Sequence, residues 1–158
     1  MSMLLDVNDL LAEAERVPPP DFVPLVQTFT KLKPAVLITT QSHGTYQSIT
    51  IALESIGYRT YLATDAYVAA ERLQRTPEIG LIIIDRRLSE FDGFQLCKMI
   101  REANQDAPPV VLLSRKMGLW SRMKAKAAGA TGLILKPICP ENLIAAVRRQ
   151  LPIPRESR

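Results

Sequence analysis

The chain is poor in residues that staple or ligate. It has two cysteines, Cys97 and Cys139, and a single histidine, His43. Two well-separated thiols make neither a disulfide framework nor a zinc motif and read as reduced cysteines of a cytoplasmic protein. Aromatic residues are 6% of the chain, with one tryptophan, and no aromatic-rich nucleic-acid signature accompanies them. No apolar run reaches the roughly 18 residues that span a bilayer, so no membrane partner is expected. No basic stretch followed by an apolar one opens the sequence, so no secretion signal is expected. Internal repeats are absent as well.

The 158 residues, 47% hydrophobic and 23% charged, suit one globular domain with an appendage and a core that needs no staples. The formal charge is +4, unevenly spread. Residues 1–33 carry five acids and three bases, and the rest carries 17 bases against 11 acids. A basic surface invites acidic partners. With no helix-turn-helix or zinc signature beside it, a solvated positive surface is the plainer reading, and direct nucleic-acid binding is not expected.

Residues 1–33 stand apart as an N-terminal extension. Leu4, Val7, Leu11 and Ala14 recur at helical spacing, which predicts a short amphipathic helix over residues 4–16. Pro18, Pro19 and Pro20 end it, and Val17 to Pro34 reads as a linker. Residues 34–151 form the expected domain, and 152–158, "PIPRESR", a C-terminal tail.

Within the domain, strands and helices alternate. Strands are expected at Ala35–Thr40, Tyr58–Ala63, Leu81–Ile84 running into Asp85, Pro109–Ser114 and Leu133–Leu135. The first helix carries Ile49, Ala52, Leu53 and Ile56 on one face and ends at Gly57. Asp65 caps a second helix reaching about Arg75. Phe94, Leu96, Cys97 and Ile100 mark a third. Gly118 to Ala128 is a fourth, closed by Gly129, and Pro140 opens a last one reaching about Gln150. The pattern is (βα)₅, an α/β doubly wound parallel sheet of flavodoxin-like order 2-1-3-4-5. Ligands in such a sheet sit beyond the carboxyl ends of the strands, so the strand-end residues are the candidates for function.

Three motifs lie at those ends: "LIIIDRRLSEFDGFQLC", "PPVVLLSRK" and "GATGLILKPI". Together, in this order, they resemble the third, fourth and fifth strand ends of response-regulator receiver domains, over roughly Lys33 to Leu151. The resemblance makes Asp85 the equivalent of the phosphoacceptor, Ser114 the hydroxyl that hydrogen-bonds a phosphoryl oxygen, and Lys136 the lysine that supplies positive charge. Asp85 and Lys136 can equally form a plain salt bridge at the sheet edge.

The departures from the family matter as much. Thr40 and Gln41 stand where receivers carry the adjacent acids that hold Mg²⁺. They offer neutral oxygens to an ion that prefers carboxylates, and Arg86 and Arg87 follow Asp85, so Mg²⁺ is expected to be absent or weakly held. A basic side chain, Lys136 or Arg87, is expected beside the Asp85 carboxylate instead. Arg115 replaces a small residue after Ser114, and Leu133 replaces the family's switch aromatic. These changes point to a pseudo-receiver, a non-enzymatic module that signals by protein contact without phosphorylation. The alternatives are a phosphorylatable receiver using Asp85 with Arg87 in place of the metal, and a fragment of a larger regulator with an output domain. Expected partners are a histidine kinase, an effector or a second copy, met through the fourth helix, fifth strand and fifth helix, with Trp120, Arg122, Lys124, Lys126, Arg148 and Arg149 in contact. Trp120 with Met117 or Met123 makes either a recognition patch or ordinary packing. His43 is more simply a solvated loop residue than an anion donor. The run "GLWSRMKAKAAGA" resembles receivers of cyanobacterial and type IV pilus-linked regulators.

An isolated helix of about 13 residues is marginal in water, so the N-terminal stripe needs an apolar surface, its own domain's or a second copy's. A chain starting at Lys31 is therefore expected to be less stable in chemical denaturation, or to associate differently in sedimentation, than the full chain. Identical behaviour in both would show that the segment contributes to neither.

Overall fold

The computed structural model describes residues 33–89, 91–116 and 118–153. The expected N-terminal helix, most of the linker, Met117 and the end of the tail lie outside the described residues. Five strands, β1 (Ala35–Thr39), β2 (Arg59–Ala63), β3 (Ile79–Asp85), β4 (Val110–Ser114) and β5 (Gly132–Leu135), pair in parallel in the order β2-β1-β3-β4-β5. Between and after them run α1 (His43–Glu54), α2 (Ala66–Arg75), α3 (Gly93–Ala103), α4 (Leu119–Ala127) and α5 (Pro140–Gln150). This is the flavodoxin-like doubly wound fold expected from the alternation.

The sheet divides the core in two because successive strand residues point to opposite faces. Leu37, Ile82, Ile84 and Leu112 face one side, where they meet Ala69 of α2, Phe94, Leu96 and Cys97 of α3, and Ala125 of α4. Val36, Ile38, Leu81, Ile83 and Leu113 face the other and meet Ile49 and Leu53 of α1 with Leu143 and Val147 of α5. Central strands buried on both faces explain the apolar runs of β1, of β3 from Leu81 onward and of β4. Burial also pushes the Cys97 thiol above its usual range, with the nearby Arg101 charge acting in the opposite direction. Among the described residues no helix is long and apolar enough to cross a membrane.

Local chemistry sets the ends of the elements. Ser42 caps α1, Asp65 caps α2, and Asp92 with Gln95 forms a capping box at the start of α3. Gly57 and Gly129 take φ of +100° and +90° after α1 and α4, a conformation that a side chain disfavours. Each strand differs from expectation by one or two residues at one end, and two of these differences have a clear physical cause. β3 starts at Ile79, not Leu81, because Ile79 pairs with Ala35 across a register shift that leaves Gly80 as an extra residue. A Cβ on Gly80 would stand 2.7 Å from a methyl of Leu151, so the glycine that hides the strand in the sequence makes room for the end of α5. Tyr58 precedes β2 and lies buried, its hydroxyl donating to the Leu151 carbonyl at 2.6 Å.

The entry to α3 is held against the end of β3 by the Gly93 amide, which donates to the Arg86 carbonyl at 2.8 Å. A Cβ at Gly93 would lie 2.6 Å from the Asp85 carbonyl oxygen and 2.8 Å from the Arg86 Cα, both backbone atoms that cannot swing aside. Gly93→Ala is expected to lower stability by about 1–3 kcal/mol in urea unfolding, as overpacking does. Gly44→Ala, on the exposed start of α1 where the nearest atom would be 4.0 Å away, is expected to be neutral or stabilising through helix propensity.

Candidate functional site

The doubly wound order places the carboxyl ends of β1, β3, β4 and β5 along one edge, and Asp85 sits there at the end of β3, only 3% exposed. A carboxylate this deep needs donors, and three are supplied. Lys136 Nζ lies 2.7 Å from Asp85 Oδ2, and the Thr40 hydroxyl donates to the same oxygen at 2.9 Å. The Arg87 amide approaches Oδ1 at 3.3 Å. Thr40 Oγ1 in turn accepts the Ser42 amide at 3.1 Å, so a polar chain runs from the start of α1 to Asp85. Lys136 is delivered by the end of β5, where its amide donates to the Ser114 carbonyl at 2.8 Å.

The structure thus brings Asp85, Lys136 and Thr40 into contact and separates others. Gln41, next to Thr40, is exposed and donates to Ser89 Oγ at 2.7 Å, tying the loop after β1 to the loop after β3. Ser114 is buried at the end of β4, and its hydroxyl oxygen accepts the Lys116 amide at 3.1 Å. Of the two basic side chains expected near Asp85, Lys136 occupies the position. Arg87 is exposed and lines the cleft, and Arg86 lies over the Phe94 ring, 5.1 Å from its centroid, and 4.0 Å from Asp92. Leu133 is partly buried and packs into the half-core under α2, α3 and α4. Sequence reasoning missed Ser42 and Ser89. The helix-start pattern at Ser42 was a usable signal, whereas nothing local marked Ser89.

Trp120, Arg122, Lys124, Lys126, Arg148 and Arg149 are all exposed, Trp120 to 71%. Lys124, however, lines a groove with Phe94, Gln95 and Lys98 of α3. Helical spacing puts Trp120, one turn earlier, on that same flank. Arg122 and Lys126, also one turn apart, fall on the opposite flank with Leu119, toward the sheet edge at β5. Met123 is exposed between the flanks, so neither it nor Trp120 is core packing. His43 is exposed at the first position of α1.

Residues 36–148 match the family described as the response regulator receiver domain. The chain belongs to that family. It is 25% identical over 118 residues to Protein PilG of Pseudomonas aeruginosa, covering 74% of this chain and 87% of that one. It is 30% identical over 117 residues to the transcriptional regulatory protein YvrH of Bacillus subtilis, covering 74% of this chain and 48% of that one. The domain therefore spans about half the length of some relatives, including response regulator MprA of Mycobacterium leprae. Among solved structures, the chemotaxis protein CheY4 of Vibrio cholerae superposes with a TM-score of 0.70 and 28% identity, over 75% of this chain and 99% of that one. A response regulator from Thermotoga maritima gives 0.68 and 28%, over 76% and 98%. This receiver is a domain of two-component signalling.

Mg²⁺, the ion of an acidic receiver pocket, does not fit the donors described. Thr40 and Gln41 present neutral oxygens, and Asp85 Oδ2 is taken by Lys136 and Thr40. Among the described residues no cluster of three or more His, Cys, Asp or Glu could hold a metal. Octahedral Mg²⁺ sites use one or two carboxylates with water, and a lysine ammonium on the available carboxylate competes directly.

The ion pair makes an asymmetric prediction. The Lys136 side chain is 18% exposed and that of Asp85 4%. Lys136→Met leaves a buried carboxylate with no counter-charge and is expected to cost about 3 kcal/mol. Asp85→Asn keeps an acceptor for Thr40 and leaves a lysine that can turn to water, so about 1 kcal/mol is expected. Denaturant unfolding of the two variants measures the difference, and equal or reversed costs would contradict the pairing.

Proposed function

We propose that this receiver is a pseudo-receiver, a non-enzymatic module of two-component signalling that works by protein contact without phosphorylation of Asp85. The observation that carries the proposal is the fate of the two residues at the metal-binding positions. The Thr40 hydroxyl is spent on Asp85 Oδ2, and Gln41 is turned to Ser89. Phosphoryl transfer to a carboxylate brings two anions together and needs a positive charge that clamps the transferring oxygens. Here Lys136 is bound to the nucleophile itself, and the Arg87 and Arg115 side chains that line the cleft form no ion pair with Asp85 among the described residues.

The partner of this module is a histidine kinase, an effector or a second copy of the chain, met at the surface of α4, β5 and α5. Leu119, Met123 and Leu135 are exposed there, rimmed by Arg122, Lys126, Arg148 and Arg149. Apolar anchors within a basic rim suit an acidic partner surface. The α4 run Gly118–Ala130 supports a place in the cyanobacterial and type IV pilus-linked subgroup. A second reading has Asp85 phosphorylated with Arg87 replacing the metal, and the weakly bonded Oδ1, with its one donor at 3.3 Å, favours it. The coverage of half of YvrH favours a third, in which this domain is joined to an output domain.

Incubation of the full chain with acetyl phosphate, with and without Mg²⁺, followed by intact mass, tests the proposal. No phosphoryl adduct is expected in either condition. An adduct that appears and is lost in Asp85→Asn would refute it.

A further inference from the structure

The cleft above Asp85 carries the charge of an anion site. It has a volume of about 910 Å³ between the start of α1 and the loops that follow β3, β4 and β5. Its charged lining is Asp85 against Arg87, Arg115 and Lys136. A second hollow of about 310 Å³ shares all four and adds Lys116 beside the Arg86–Asp92 pair. Asp85 is already matched by Lys136 and Asp92 by Arg86. That leaves Arg87, Arg115 and Lys116 without a carboxylate partner among the described residues. Low-dielectric walls focus such a field and raise the local concentration of anions.

We infer that this cleft reversibly binds a small molecule bearing phosphate groups, a phosphate ester or diphosphate, in the place where other receivers bind a cation. Two guanidiniums, Arg87 and Arg115, offer the forked donors that match phosphate oxygens. Ser42, Thr45 and Ser48 of the α1 wall add hydroxyls. The first turn of α1 carries no acidic side chain, so its amide end adds to the positive field. The volume exceeds that of phosphate alone and falls in the range of small-molecule and cofactor pockets. The inference rests on the reading that the pocket does not take up Mg²⁺, and the two are separable by experiment.

The full chain is titrated with pyrophosphate and, separately, with ADP, at low salt with a chelator present, and followed by calorimetry and by amide shifts. Saturable binding is expected for at least one probe, with shifts at residues 42–48, 87, 115 and 136. Arg87→Ala and Arg115→Ala, checked for unchanged melting, are each expected to weaken it tenfold or more. Asp85→Asn is expected to tighten it severalfold by releasing Lys136, and Lys98→Ala on α3 to leave it unchanged. Tighter binding of ADP than of pyrophosphate assigns the rest of the cleft to a nucleoside, and equal binding assigns it to the phosphates alone. Absence of saturable binding overturns the inference, as does an equal loss in Lys98→Ala, which marks diffuse surface charge. Binding of a phosphopeptide but of neither small probe overturns it too. A separate titration with MgCl₂ alone tests the metal reading. Saturable Mg²⁺ uptake at Asp85 would defeat that reading and the proposed function while leaving chelator-resistant anion binding intact.

Discussion

A carboxylate at the end of a strand whose other side chains are buried must be neutralised where it stands, and the carboxyl edge of this sheet is organised around that requirement. β3 carries Asp85 to the edge with almost no solvent access. The counter-charge comes from Lys136, beyond β5, so the ion pair reaches across the end of β4 and joins two strands that are not neighbours. The Lys136 amide on Ser114 and the Arg86 amide on Leu113 fix the loops on either side. A buried pair of this kind adds little net stability over an apolar substitute. Its consequence is geometric, since three loops are held in one arrangement about one carboxylate.

That arrangement changes what the edge can attract. At about 4 Å and an effective dielectric near 20, each contact between unit charges is about 4 kcal/mol, enough to decide the sign of a small ion's preference. Thr40 and Gln41 bring no charge to the end of β1, while Arg87 and Arg115 bring positive charge to the cleft. With Asp85 internally paired, what remains available is cationic. The backbone scaffold, superposing on CheY4 with a TM-score of 0.70, is compatible with either ligand sign. Side-chain charge at a few strand ends distinguishes them.

Much of this was legible in the sequence, for physical reasons that also explain what was not. β1, β4 and the part of β3 from Leu81 onward are buried on both faces, so their apolar runs are unbroken and unmistakable. Gly57, Gly129 and Asp65 sit where backbone or capping geometry restricts the choice of residue. The start of β3 was hidden because Gly80 interrupts the run for the sake of Leu151, a contact across the fold. At the site, strand ends locate Asp85, Ser114 and Lys136, but not the direction of side chains in the loops beyond. Thr40 and Gln41 are adjacent in sequence and have opposite fates, one buried on Asp85 and the other exposed on Ser89. Arg86 and Arg87 likewise part, because Phe94 offers Arg86 a ring face. The division of the α4 residues between two flanks depends on which side α3 packs, which periodicity alone does not reveal.

The output side follows from the same economy of polar partners. A switch residue must have something to gain in each of two positions. Leu133 packs, partly buried, into the half-core beneath α2, α3 and α4, and it has no polar group to recover in water. The Ser114 hydroxyl already accepts the Lys116 amide, so the loop after β4 is held without a ligand. On the proposed docking surface, Met123 and Leu135 stand exposed in the structure as it is. Under the proposed phosphorylation-independent reading, regulation of this surface comes through the abundance of the partner or through a ligand that changes the charge of the cleft. The proposed anion site lies at the loop after β4 that leads into α4, with Arg115 and Lys116 on its wall, so neutralising those charges acts on the field at the start of the docking helix without any need to move Leu133.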